Sequence, residues 1–278
     1  PIFVMAQDQY CGANQPDFLG KNMDEVSLHR MQELEIFTQQ WIAENQNKVS
    51  LREIITIPVV VHILWTDESE NFTNLEIEAQ IDGLTADFRK MNENASIIPP
   101  IFRPLAADVE IEFCLASVDP NGQETNGIIR KKAEYANLGS LKFDGRPRIY
   151  YDDLGGSSSW DPEDYINIRV GQLNGLIGIA TFPGQVIPAE DGIIVDPNAF
   201  GFFCSTANGS FHGRTLTHEM GHFFNLYHIW GQNGCDTGDL VDDTPMQDTD
   251  HRTECPAHPQ VSCGSADMFM NYMDYTND

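Results

Sequence analysis

Apolar positions along the chain recur with two different periods, and the places where the period changes mark the elements. Asp24 to Asn45 carries the 3.6-residue spacing of a helix, with Met31, Leu34 and Trp41 among its apolar positions. Ile54 to Trp65 is a nearly unbroken apolar run rich in β-branched residues, which predicts a buried strand. Asn74 to Met91 returns to the helical period, placing Leu75, Ile77, Ile81, Leu84 and Phe88 on one side. Asn74 is a candidate N-cap, and Glu76 and Glu78 suit the positive end of the helix dipole. Val109 to Val118 alternates and predicts a strand that ends in a turn at Asp119-Pro120-Asn121-Gly122. Gly155 to Ser159 is a small-residue loop, Tyr165 to Val170 and Ile193 to Val195 read as strands, and Thr215 to Asn225 reads as a helix. Beyond it the chain is dense in Gly, Asp, Pro and Cys and reads as loops. Strands interleaved with helices predict an α/β fold, a twisted sheet backed by helices.

Charge narrows the function. The 42 acidic residues outnumber 16 basic ones, for a net charge of −26. A phosphate backbone needs a basic footprint, so nucleic acid is excluded as a partner, while solubility, cationic peptides and metal ions are favoured. No apolar run is long enough to span a membrane. The six cysteines, Cys11, Cys114, Cys204, Cys235, Cys255 and Cys263, form no Cys-x-x-Cys pair, and three of them fall in the loop-rich tail. That favours disulfides and an oxidising, extracellular compartment over a zinc ribbon. The N-terminus has no basic segment followed by an apolar one, so any signal peptide is expected to have been removed.

The candidate chemistry lies in His-Glu-Met-Gly-His-Phe-Phe-Asn-Leu-Tyr-His, residues 218–228. His218 and His222 are four apart and share a helix face, so two imidazoles can grip one zinc ion. Glu219 follows the first ligand and is placed to serve as general base, then acid, towards water polarised by the metal. His228 returns to the same ion only if the chain turns sharply near residue 225. That turn requires a positive φ, which Asn tolerates best after Gly. Three protein ligands leave one coordination position open, the arrangement of a catalytic rather than a structural zinc.

With Met270-Asn271-Tyr272-Met273-Asp274-Tyr275 downstream, these residues resemble the metzincin metallopeptidases and, within them, the pappalysin family. The resemblance covers the motif helix, the loop from Gly234 to Pro245 and the segment from Met270 to Tyr275. It implies a secreted zinc endopeptidase that cuts before Arg or Lys, with a twisted mixed sheet, a backing helix, an active-site helix and an irregular C-terminal sub-domain. It implies that Met273 floors the zinc site and that Tyr275 hydrogen-bonds the tetrahedral intermediate. It further implies a calcium ion held by Asp236, Asp239, Val241 and Thr244, and a Cys235–Cys263 disulfide. Cys114 and Cys204 are expected as buried free thiols. Cys255 is expected to pair with a cysteine beyond Asp278, in a chain shortened at its C-terminus.

Residues 1–51 are expected to be a pro-segment that acts as the enzyme's own inhibitor, with Cys11 as a thiolate ligand on zinc in the latent form. Self-cleavage between Leu51 and Arg52 is expected to leave a catalytic domain, 52–278, with an upper part at 52–228 and a lower part at 229–278. The peptide substrate is expected between the two parts. The remaining histidines, His29, His62, His212, His251 and His258, are expected to be surface or structural. The alternative reading is a secreted binding module in which zinc and calcium only hold the shape; Glu219 is the residue such a module has no use for.

Overall fold

The computed structural model describes residues 24–45, 53–201, 213–231, 233–252 and 256–276, together with the backbone of 10–11. In chain order the strands are β1 (Tyr10–Cys11), β2 (Ile55–Trp65), β3 (Ile111–Leu115), β4 (Ile128–Lys132), β5 (Lys142–Phe143), β6 (Arg146–Pro147), β7 (Ile166–Gly171), β8 (Leu176–Ala180), β9 (Ile193–Val195), β10 (Val261–Ser262) and β11 (Ser265–Ala266). The α-helices are α1 (Glu25–Asn45), α2 (Asn74–Phe88) and α3 (Arg214–Phe223).

β2 is the axis of the main sheet, whose order is β1-β8-β9-β7-β2-β3 with β4 also paired to β2. β3 pairs with the first half of β2 (Ile55–Val59) and β4 with the second (Val61–Trp65), both in parallel. β7 lies parallel on the other side of β2, and β9 parallel to β7. β8 runs antiparallel to β9 and so reverses the sheet direction. The backbone of β1 lies parallel to β8, with Cys11 opposite Gly178. The pairs β5–β6 and β10–β11 are small separate hairpins.

A strand covered on both faces needs apolar residues at successive positions, which explains the unbroken run in β2. Val59, Val61 and Ile63 face α2 and α3, joining Ile77, Ile81, Leu84, Leu216 and Met220. Leu64 faces the other way, into a second cluster with Leu138, Ile149, Tyr150, Leu173 and Ile179. His62 also belongs to β2; it is fully buried and bonded to Ser157 Oγ (2.7 Å) and Asn167 Oδ1 (3.1 Å).

Several sequence expectations need correction. The N-cap of α2 is Thr73, not Asn74: its hydroxyl accepts from the Glu76 amide and the Glu76 carboxylate accepts from the Thr73 amide. This capping box satisfies two orphan donors, which Asn74 cannot do from inside the helix. Leu75, expected on the apolar side of α2, is 74% exposed because it projects from the first turn outside the packed stripe. α1 leaves Val26, Phe37 and Trp41 exposed; its Met31 packs against Phe182, outside the two main core clusters. Cys114 is a free thiol, as expected, but it is exposed and not buried. It sits on β3 beside Phe113, which takes the inward position, and alternation turns Cys114 outward.

Candidate active site

α3 carries the first two histidines and ends where the third needs it to. The Leu226 amide donates to Gly221 O (2.9 Å) and the Asn225 amide to His222 O (2.9 Å), the paired bonds of a left-handed helix stop. Asn225 itself has φ 71°. Its side-chain amide donates to Glu35 Oε2 of α1 at 3.2 Å. The reversal brings His228 back over the helix face.

The Nε2 atoms of His218, His222 and His228 then converge, at 3.1 Å for 218–222, 3.1 Å for 222–228 and 3.2 Å for 218–228. His218 Nδ1 donates to Tyr272 O (2.6 Å) and His222 Nδ1 to Leu226 O (2.7 Å), so the Nε2 atoms of these two rings face inward as lone pairs. Burial pushes the His218 imidazole down to about 4. Burial first, and the neighbouring imidazoles second, push His222 and His228 well below the usual histidine range. Neutral rings that turn lone pairs on one another are stabilised by a cation between them. Ligands of a tetrahedral zinc at 2.0–2.1 Å stand about 3.3 Å apart, and the triad is within about 0.2 Å of that spacing. The donor set therefore fits zinc. Among the described residues it is also the one group of three or more His, Cys, Asp or Glu ligand atoms that gather within 4.8 Å.

Glu219 is fully buried beside the triad. It fits only because β8 carries Gly178 opposite: a Cβ there would lie 2.5 Å from Glu219 Oε1. Gly221, between the two helical histidines, plays the same part for the methionine below, since a Cβ on it would lie 2.4 Å from Met273 Sδ. Met273 is buried, and its carbonyl accepts from the Ile229 amide at 3.3 Å. Tyr275 packs edge-on against His228 (4.7 Å between centroids) and tilted against His218 (5.5 Å). Trp230 stacks on His228 at 4.5 Å with 9° between planes.

Sequence reasoning missed the residues that hold these side chains in place. Besides the Tyr272 carbonyl on His218, the Tyr272 hydroxyl donates to Asp87 Oδ1 of α2 (2.7 Å), and Thr217 Oγ1 donates to Asp87 Oδ2 (2.8 Å). One carboxylate thus links α2, α3 and the turn below the site. Tyr272, adjacent to Met273, could have been suspected; nothing local marks Asp87 or Gly178.

The other sequence candidates are distributed as follows. Cys235 and Cys263 form a disulfide across 28 residues. Asp239 is buried, and burial raises its carboxyl, while the Val241 amide donates to its Oδ1 at 3.1 Å. Asp236 and Val241 are exposed and Thr244 is half-buried. The side chain of Cys11 and residues Leu51, Arg52, Cys204, His212, Cys255 and Asp278 lie outside the described residues.

A mixed sheet over a helix with two histidines, a third returned by a sharp turn and a methionine beneath define a metzincin metallopeptidase. Residues 150–278 match the family model of pregnancy-associated plasma protein-A. An extracellular metalloprotease of Trichophyton verrucosum is 29% identical over 236 residues, covering 81% of this chain and 71% of the relative. A solved structure of mature mirolysin from Tannerella forsythia, in complex with a cleaved peptide, superposes with a TM-score of 0.75 at 38% identity, over 81% of this chain and 85% of that one. A point mutant of promirolysin from the same organism superposes with a TM-score of 0.76 at 34% identity, over 97% of this chain and 88% of that one. The chain belongs to the pappalysin family, and it is an extracellular zinc metallopeptidase. No helix among the described residues is long and apolar enough to cross a membrane.

Proposed function

We propose that this chain is a latent zinc endopeptidase that cuts internal peptide bonds before Arg or Lys. The observation that carries the reading is the convergence of three Nε2 atoms beside a buried glutamate. His218, His222 and His228 hold the zinc. When bound, the metal lowers the pKa of a water molecule and polarises the scissile carbonyl. Glu219 takes the proton of the attacking water and returns it to the leaving amine. Gly178 leaves the carboxylate room to face the reacting groups, and Met273 floors the site. The Tyr275 hydroxyl donates to the oxyanion of the tetrahedral intermediate.

Residues 1–51 form the inhibitory pro-segment and 52–278 the catalytic domain, with its upper part at 52–228 and its lower part at 229–278. Pairing of the β1 backbone with β8 brings Cys11 level with Gly178, the residue that abuts Glu219, and so supports a thiolate that fills zinc's fourth position. The likeness to promirolysin over nearly the whole chain supports a pro-segment. Cleavage between Leu51 and Arg52 fits the preference for Arg after the scissile bond and releases the catalytic domain. Calcium is bound by the Asp239 carboxylate and Thr244, with carbonyls of Asp236 and Val241. The buried, burial-raised carboxyl of Asp239 supports this, because a cation beside it offsets the cost of ionisation.

The test is cleavage of a quenched peptide that contains one Arg, by this protein and by its Glu219→Ala variant, with and without a zinc chelator. It is run on the intact chain and again after limited proteolysis of residues 1–51. Cleavage just before Arg, abolished by the substitution and by chelation and appearing only after trimming, is the expected result. An inactive trimmed protein loaded with zinc and calcium would overturn the reading in favour of a binding module. An active intact chain would remove the latency.

A further inference from the structure

Arg252 is one of 16 bases in a chain with 42 acids, and it is set against the site. Its guanidinium carbon lies 5.1 Å from the centroid of the Tyr275 ring, whose packing against His228 and His218 is described above. Two carboxylates fix this placement. Asp250 Oδ2 accepts from Arg252 Nε at 2.5 Å. Asp274, buried in the turn below the site, accepts from the His251 amide (2.9 Å), from Gln247 Nε2 (2.7 Å) and from the Tyr275 amide (2.7 Å). A single carboxylate therefore ties the backbone just before Arg252 to the backbone of Tyr275. The His251 ring anchors the same loop to Asp267 at 3.3 Å.

Stability does not account for this arrangement. The Arg252 side chain is 39% exposed, and ion pairs at such sites contribute little to folding. A cation over an aromatic face does something else: it favours negative charge on the ring system. A phenol whose hydrogen bond to an oxyanion shortens as charge builds gains from such a cation in the transition state more than in the ground state.

We propose that Arg252 is a positioning residue for Tyr275, holding the ring against the histidines and strengthening the phenol as a donor to the tetrahedral oxyanion. The inference rests on the reading of Tyr275 given above. In this role Arg252 acts through Tyr275 and not on the substrate, so its removal is expected to change turnover and to leave substrate affinity alone.

The test is a double-mutant cycle on the zinc-loaded full chain after the same limited proteolysis, combining Arg252→Gln with Tyr275→Phe. Arg252→Gln is expected to lower kcat about two- to fivefold at unchanged KM, the range of a half-exposed cation–ring contact. With Phe at 275 the further loss is expected to vanish, and Arg252→Lys is expected to restore most of the rate. Asp250→Asn, which keeps the charge but loosens it, is expected to give a smaller loss with the same dependence on Tyr275. A second readout is calorimetric binding to the inactive Glu219→Ala background. There Arg252→Gln is expected to weaken a phosphinic peptide, which mimics the tetrahedral intermediate, about two- to fivefold while leaving the uncleaved peptide unchanged. Equal losses in the Tyr275 and Phe backgrounds, or a loss confined to KM, would overturn the proposal and leave the protease reading intact. If Tyr275→Phe alone left kcat unchanged, the reading of Tyr275 would fall, and this proposal with it.

Discussion

Gly178→Ala isolates the space that β8 leaves for the catalytic carboxylate. Gly178 has no positive φ, so alanine meets no backbone penalty there. The new methyl carbon would lie 2.5 Å from Glu219 Oε1, 2.8 Å from Cγ and 2.9 Å from Cδ, against ordinary contacts of 3.4–4 Å. The carboxylate must therefore retreat by about 1 Å, and a misplacement of that size costs about 100-fold in rate. It has nowhere easy to go, because Glu219 is fully buried and α3 is locked into the core through Leu216 and Met220. Overpacking of this kind costs about 1–3 kcal/mol in stability. Glu219→Ala removes the obstructing atoms, so in that background Gly178→Ala should be neutral or stabilising by about 0.5–1 kcal/mol, the ordinary gain of Ala over Gly in a strand. The assay is a cycle of four variants, with zinc content and urea unfolding measured on the intact chains and peptide cleavage measured after limited proteolysis of residues 1–51. A Gly178→Ala protein with unchanged kcat, or an equal loss of stability with and without the Glu219 side chain, would refute the steric argument.

Three further outcomes are expected. Asn225→Ala should cost about 1–2 kcal/mol in thermal unfolding, because Ala at φ 71° lacks the local bonding that Asn supplies, and Asn225→Gly should cost less. His62 is held down to about 3 by burial and then by Arg169. The unfolded chain takes its proton first, near pH 6.5, so stability is complete above that pH and lost as pH falls towards 3, by up to about 1.4 kcal/mol per pH unit. Urea unfolding of the metal-free protein against pH should lose that part of its slope in a His62→Gln variant. Serine at both Cys235 and Cys263 should cost about 3–4 kcal/mol, the loop-closure entropy of a 28-residue span, read from the unfolding midpoint of the oxidised protein.

Much of the site was legible because its spacing is local. A helix repeat puts His218 and His222 on one face, and Asn225 marks the turn that returns His228. The capping box at Thr73 and Glu76 was equally local, although Asn74, one residue further on, is also a favoured cap type. The strands that were missed explain themselves. Ile128–Lys132 ends in Arg-Lys-Lys because it pairs with only half of β2, at a point where long cationic side chains reach solvent or carbonyls, as Lys131 does with Gly156 O (2.6 Å). Leu176–Ala180 has a glycine at its centre, which weakens a strand signal, and that glycine is there for Glu219.

The sequence by itself determined the α/β order, the buried central strand, the motif helix with its turn, the acidic balance and the metal-ligand set, since each is encoded within a few residues or in bulk composition. Only the tertiary structure decided what surrounds that set. The Tyr272 carbonyl reaches His218 across 54 residues, the Tyr272 hydroxyl reaches Asp87 across 185, and Gly178 faces Glu219 from another strand. Such contacts depend on sheet register and on which helix packs over which strand. These follow from burying the whole apolar surface at once, and no single stretch of the chain encodes them.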